Sequence, residues 1–251
     1  MATPRLSSFY SLVTHERIDS TNEEAKRLAT TGAPAGTLVW ADEQVAGRGR
    51  RGRGWTSPPG NLYMSLLLRP GRVASIACQL NFVAAVALAE AVAGLLPPGA
   101  SVALKWPNDV LVNGAKVSGI LLEAAAVADH VIDWLVIGVG VNVASHPPDT
   151  PYPATSLQRE GVHSTPAVVL ETFADSFERW HEVWRQAGFA RVRDRWLASA
   201  RGLGEPIEVR LERETLHGRF SDLDETGALM LDMGNGGRRQ VTTGDLFFPQ
   251  L

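Results

Sequence analysis

The dipeptide Asn113-Gly114 sits between two apolar runs, DVLV (109–112) and AKVSGILLEAA (115–125), and it limits the possible folds more than any other short stretch. Two residues that tolerate positive φ, flanked by strand formers, predict a tight hairpin and hence antiparallel neighbours. Runs of the same character recur at TLVWADEQ (37–44), LYMSLLLR (62–69), SVALKWP (101–107) and VIDWLVIGVGVNV (131–143). Their nearly unbroken apolar content predicts strands buried in a sheet.

Helical signals alternate with these strands. DSTNEEAKRLATTG (19–32) carries Ser20 and Glu23 at capping-box spacing, with Gly32 where a helix would stop. Residues 73–96 form one apolar stretch ended by Pro97-Pro98, the pattern of a largely buried helix. Thr165 and Pro166 open a third helix, in which Val169, Phe173, Phe177, Trp180 and Trp184 fall on one face. These aromatics are expected in the core rather than at a ligand site. Beyond Leu203-Gly204 the residues alternate apolar and polar between turn signals, which predicts short antiparallel strands. The boundary is placed near 203, giving units 1–203 and 204–251; the second is too small to support an independent core without disulfides and should lean on the first.

Composition closes off several classes. At 251 residues, 45% hydrophobic and 20% charged, the chain is an ordinary globular one rather than a disordered one. The start, MATPRLSSFY, lacks a basic-then-apolar leader, and VAAVALAEAVAGLL (83–96) is interrupted by Glu90 and short for a bilayer, so no membrane association and a cytoplasmic location are expected. The single cysteine, Cys78, allows no internal disulfide and is expected to be a buried, inert thiol. The six histidines show no metal-binding spacing, so no structural metal is expected.

Against a net charge of -3, GRGRRGRGW (47–55) concentrates four arginines without a carboxylate. It matches G-x-G-x-x-G literally, but a dinucleotide fingerprint opens a helix and carries small residues between its glycines, whereas this stretch joins two strands. No HRD or DFG follows, as a kinase would require, and no GxxxxGK[ST] occurs. An RGG-type nucleic-acid arm would be extended and basic overall, yet pI is about 6.1. What survives is physical: glycines admit close backbone approach, and guanidinium forks grip phosphate or carboxylate. Four repelling arginines should be mobile when empty and order over an anion. Trp55 has two readings, a cover for a flat base or a loop-anchoring hydrophobe.

Two further strings stand out in a chain where only Lys26, Lys105 and Lys116 of 24 basic residues are lysine. In KWPNDVLV (105–112), Pro107 should break the strand and aim Lys105, Asn108 and Asp109 into a turn; a bulge with a polar turn explains the same residues without function. In AKVSGILLE (115–123), Lys116 and Gly119 suggest a ligand near the backbone.

Together these strings resemble the biotin protein ligases, whose GRGRxGR, KWPNDV/I and K-V/L-x-G-I-L patterns read GRGRRGR, KWPNDV and KVSGIL here, with DSTN (19–22) and GVGVN (138–142) in the same order. The resemblance implies an α+β fold: a mixed, mostly antiparallel central sheet flanked by helices, class II synthetase-like, followed by a small SH3-like β-barrel. It implies an enzyme that joins biotin to the α-phosphate of ATP with Mg2+, then transfers biotin to a lysine of a biotin carboxyl carrier domain of acetyl-CoA carboxylase or a related carboxylase. Two anions must meet, which accounts for cations at the site.

By the same resemblance Arg50 and Lys116 are the catalytic residues. Biotin contacts come from Ser20, Thr21, Asn22, Gln44, Gly47, Arg48, Gly49, Arg50, Lys116 and Gly119. ATP contacts come from Arg48, Arg50, Arg51, Arg53, Trp55, Lys105, Asn108 and Asn142, and Asp109 is the implied metal contact. Only 18 residues precede DSTN, so sequence-specific DNA binding is not expected. Monomers and sheet-edge homodimers both remain open.

Overall fold

The structure, a computed structural model, describes residues 3–126, 131–234 and 236–248. Residues 1–2, 127–130, 235 and 249–251 lie outside the described residues.

Seven strands form the main sheet: β1 (Ser11–Ile18), β2 (Thr37–Gln44), β3 (Leu62–Leu68), β4 (Val102–Lys105), β5 (Asp109–Val112), β6 (Ala115–Ala126) and β7 (Ile132–Val141). Their order is β1-β2-β3-β7-β6-β5-β4, with β1 parallel to β2 and every other neighbour antiparallel. Asn113 and Gly114 take φ of 50° and 82° at the β5–β6 hairpin, the backbone such a turn requires. Pro107 breaks the ladder as expected, β4 ending at Lys105 and β5 beginning at Asp109. β1 was not anticipated; SLVTHERI is a half-exposed edge strand with too weak an apolar alternation to stand out.

The helices are α1 (Thr21–Thr30), α2 (Ala74–Ala77), α3 (Leu80–Leu95), α4 (Pro166–Ala187) and α5 (Ala190–Leu197). The single helix expected over 73–96 is thus two pieces, and Cys78 at their junction is exposed, not buried, although its surroundings still push the thiol pKa up. Counted together, Ala74–Leu95 reaches 22 residues and is by length and composition able to cross a bilayer, contrary to the expectation from 83–96 alone, but most of it is buried inside the protein. A helix apolar on all sides suits a position between the sheet and other helices. Glu90, the interruption in that stretch, accepts from Trp180 Nε1 (2.9 Å), Arg179 (2.6 Å) and Arg195 (3.1 Å), tying α3 to α4 and α5. On α4, Val169, Phe173, Phe177 and Trp184 are buried as their spacing predicts.

The chain ends in β8 (Pro206–Arg210), β9 (Thr215–Leu223), β10 (Leu229–Gly234), β11 (Gly237–Val241) and β12 (Asp245–Phe247), an antiparallel sheet ordered β11-β10-β9-β8-β12. It shares one apolar core with the larger sheet. Trp196 packs edge-on against Phe82 (5.6 Å) and lies 6.4 Å from Phe220 of β9, while Trp106 Nε1 donates to Gly227 O (3.2 Å).

Candidate active site

A cavity of about 370 Å3 opens where the start of α1, the loop 47–56, the β4–β5 turn, β6, β7 and β12 converge. Its two ends differ in chemistry.

One end is neutral and hydrogen-bonded. Ser20, Thr21 and Asn22 are buried at the start of α1. Ser20 is the N-cap residue, but its side chain makes no capping bond; Glu23, its expected box partner, pairs instead with Lys26 (2.7 Å) and with Arg48. The capping role passes to Gln44 at the end of β2, whose Oε1 accepts from Thr21 N (2.8 Å) and lies 3.1 Å from Thr21 Oγ1. Gln44 Nε2 donates to Ser57 Oγ (3.0 Å), and that hydroxyl donates to Trp55 O (2.9 Å), so this wall is tied to the arginine loop. Behind it, Asn22 Nδ2 donates to Glu123 (2.8 Å) and Asn22 Oδ1 accepts from Ser65 (2.5 Å).

The other end is cationic. Lys116 Nζ is 2.5 Å from Asp109 Oδ1 across the β5–β6 hairpin. Lys105 Nζ lies over the rings of Tyr152 (4.5 Å) and Phe247 (5.7 Å), and burial draws its pKa down. Arg50 donates to Asn108 Oδ1 (3.3 Å) and Gly244 O (3.2 Å); burial lowers its pKa too, against the attraction of Asp245. Cations held in partial burial interact with an added anion more strongly than exposed ones would.

The four loop arginines are divided between two sets of carboxylates. Arg48 pairs with Glu23 and approaches Glu123 (3.7 Å), whereas Arg50 (3.8 Å), Arg51 (3.2 Å) and Arg53 (2.9 Å) gather around Asp245 of β12. Their mutual repulsion is met by partners distant in sequence. Arg51 itself adopts φ of 55° inside the short 3-10 turn Arg50–Gly52.

Trp55 lies across Gly119 and Gly140, which face each other in the β6–β7 register. A Cβ on Gly140 would come 2.6 Å from the indole, so only glycine admits this approach. The contact anchors the loop while the ring also lines the cavity, and the indole Nε1 is buried without a hydrogen-bond partner among the described residues.

Most residues singled out by sequence border the cavity: Ser20, Thr21, Asn22, Gln44, Arg48, Gly49, Arg50, Arg53, Trp55, Lys105, Asn108, Asp109, Lys116, Gly119 and Asn142. Gly47 and Arg51 do not. Gly47 sits at the base of the loop, where its carbonyl accepts from Trp55 N (2.9 Å), and Arg51 turns to Asp245. Sequence reading missed Asp245, Tyr152 and the Pro147–Pro151 segment, which carry no local signal; Gly138 and Gly140 lay in plain view inside GVGVN. Among the described residues no group of three His, Cys, Asp or Glu side chains could hold a metal ion.

The Biotin/lipoate A/B protein ligase family matches residues 54–198, and the Biotin protein ligase C terminal domain matches residues 202–248. A biotin--[acetyl-CoA-carboxylase] ligase of Paracoccus denitrificans is 44% identical over 238 residues, covering 92% of this chain and 98% of the relative. The bifunctional ligase/repressor BirA of Bacillus subtilis is 37% identical over 94% of this chain and 73% of its own length. Among solved structures, the biotin protein ligase from Aquifex aeolicus in complex with biotin and ATP superposes with a TM-score of 0.79 at 29% identity, covering 94% of this chain and 97% of that one.

Proposed function

Because the chain belongs to the biotin protein ligase family, we propose that it uses ATP to activate biotin as biotinyl-5′-AMP and then transfers biotin to a lysine of a biotin carboxyl carrier domain. The observation that carries this reading is the two-ended cavity, in which a neutral hydrogen-bonding wall meets Arg50, Lys105 and Lys116.

In the first step a biotin carboxylate oxygen attacks the α-phosphorus and pyrophosphate leaves. Both reactants are anions, so cations near the junction offset their repulsion and the charge that builds on the phosphoryl oxygens. Arg50 and Lys116 are assigned this role, Lys105 and Asn108 are assigned to the phosphates, and Asn142 and Trp55 to the nucleoside; all six line the cavity. Ser20, Thr21, Asn22 and Gln44 suit an uncharged ureido ring, which needs donors and acceptors rather than ions. In the second step the acceptor amine attacks the acyl carbon and AMP leaves.

Magnesium belongs to the proposal as a companion of ATP. Asp109 fits that use as a single carboxylate, since Mg2+ takes one or two protein oxygens and otherwise phosphates and water. Its chemistry would be to neutralise phosphate charge; Asp109 itself holds Lys116 in place.

We assign residues 1–203 to catalysis and 204–251 to the smaller sheet, which supplies Asp245 and Leu246 to the cavity. The acceptor is taken to be acetyl-CoA carboxylase, which the name of the Paracoccus relative includes; its carrier domain as the site of attachment and a cytoplasmic location are part of the same proposal. The test is biotin-dependent exchange between ATP and pyrophosphate, followed by transfer to a purified carrier domain. Exchange driven by lipoate rather than biotin would select the other branch of the matched family.

A further inference from the structure

The neutral wall depends on a carboxylate that does not border the cavity. Glu123, on β6, turns its oxygens toward α1: Oε2 accepts from Asn22 Nδ2 (2.8 Å) and Oε1 from Lys26 Nζ (3.1 Å), with Arg48 at 3.7 Å. Burial pushes its pKa up, but the hydrogen bonds from Asn22 and Lys26 outweigh this and hold it below the ordinary carboxylate value. Glu123 is therefore ionised at neutral pH and can only accept.

That fact propagates. Asn22 must give its Nδ2 to Glu123, which turns Oδ1 toward Ser65, whose Oγ lies 2.5 Å away. Gly138 leaves the room this needs, since a Cβ there would collide with Asn22 Oδ1. Ser65 is fully buried, and its hydroxyl has one proton. Asn22 Oδ1 has none to offer, so the Ser65 proton goes to it. Ser65 Oγ also lies 2.8 Å from Thr21 Oγ1, a contact that is then a hydrogen bond only when Thr21 donates. The other neighbour of Thr21 Oγ1 is Gln44 Oε1 at 3.1 Å, again an acceptor. Either way the Thr21 proton is committed to the protein, and Thr21 faces the cavity with lone pairs.

We propose that Glu123 is a positioning residue that sets the direction of the chain Thr21–Ser65–Asn22–Glu123 and so makes Thr21 an acceptor for an N–H of the bound ring. This rests on the reading that the cavity holds biotin, whose ureido group carries two N–H donors. A neutral amide at position 123 could donate as well as accept, which frees Asn22 to flip and Ser65 to donate to Thr21 Oγ1, filling the lone pair that the ring N–H would otherwise take.

The test uses the full chain with Glu123→Gln and, as a second break in the same chain, Ser65→Ala. Each should weaken biotin binding, measured calorimetrically, by roughly tenfold, the effect of one misdirected buried hydrogen bond. The KM for ATP in pyrophosphate exchange at saturating biotin should stay within about twofold, the split expected when only biotin binding is touched. The double variant should be no worse than the weaker single one, because both changes break one network. Unchanged biotin affinity in Glu123→Gln, additive losses in the double variant, or parallel loss of ATP affinity and melting temperature would overturn the proposal. Wild-type protein that bound no biotin would instead refute the reading of the cavity itself.

Discussion

Lys116 and Asp109 show what a single pair can do in this cavity. At 2.5 Å the carboxylate holds the ammonium at the cationic end of the cavity, where the proposed reaction would join two anions, and the ammonium gives a compact charge where a guanidinium would spread it. Charge neutralisation matters most when the carboxylate attacks phosphorus, and less when an amine attacks the finished adenylate. Lys116→Ala should therefore slow biotin-dependent pyrophosphate exchange by about 100-fold, while transfer from supplied biotinyl-AMP falls far less; single-turnover assays of the two steps separate these rates. At the start of α4, Thr165 Oγ1 accepts from Val168 N (3.4 Å). Thr165→Ala should cost about 1 kcal/mol of stability by denaturant titration and leave exchange activity intact.

Among the elements, the arginine loop is held by the sheet it faces. Three of its guanidinium groups share the carboxylate of Asp245, so the loop and β12 act as one wall of the cavity. A single carboxylate opposite three cations leaves an excess of positive charge that phosphates can take up. Asp245→Asn should loosen the loop in the absence of substrates, raising tryptic cleavage at Arg48–Arg53 several-fold, since proteolysis tracks local opening. Biotin with ATP should suppress that cleavage in both proteins; cleavage unchanged by the substitution would show that the loop is held by other contacts.

At the scale of the whole molecule, the two sheets share a core, and acid acts on it in two stages. Phe220 of β9 is fully buried against the Trp196 side of the larger unit. Phe220→Ala should cost roughly 3–5 kcal/mol and lower one cooperative unfolding transition rather than splitting it, as calorimetry would show. His181 lies between Phe177 and Trp184 and beside Phe9, and burial, reinforced by Arg185, holds its pKa below the ordinary value. The unfolded chain then takes up a proton below about pH 6.5 that the folded chain refuses, so this contribution is complete above that pH and lost as pH falls toward the folded pKa. His181→Phe should flatten the decline in Tm between about pH 6.5 and 5. A second, more acidic decline should persist in that variant, because hydrogen bonds hold Glu90 and Glu123 below their ordinary values and protonation removes what they contribute.

Local chemistry in the sequence determined much of this protein. Asn113-Gly114 required a hairpin, Pro107 required a break between β4 and β5, the Val169–Trp184 spacing required a buried helical face, and the ordered strings around Arg50, Lys105 and Lys116 marked the cavity. Each is a constraint among residues close in the chain, so periodicity, turn preference and motif spacing report it. Only the tertiary structure decided which carboxylate each arginine meets, why Ser20 does not cap α1, where Cys78 surfaces, and that Glu123 governs a wall it does not border. Those outcomes depend on partners brought together across the sheet, and a hydrogen bond or ion pair between distant residues leaves no local pattern from which its partner could be named.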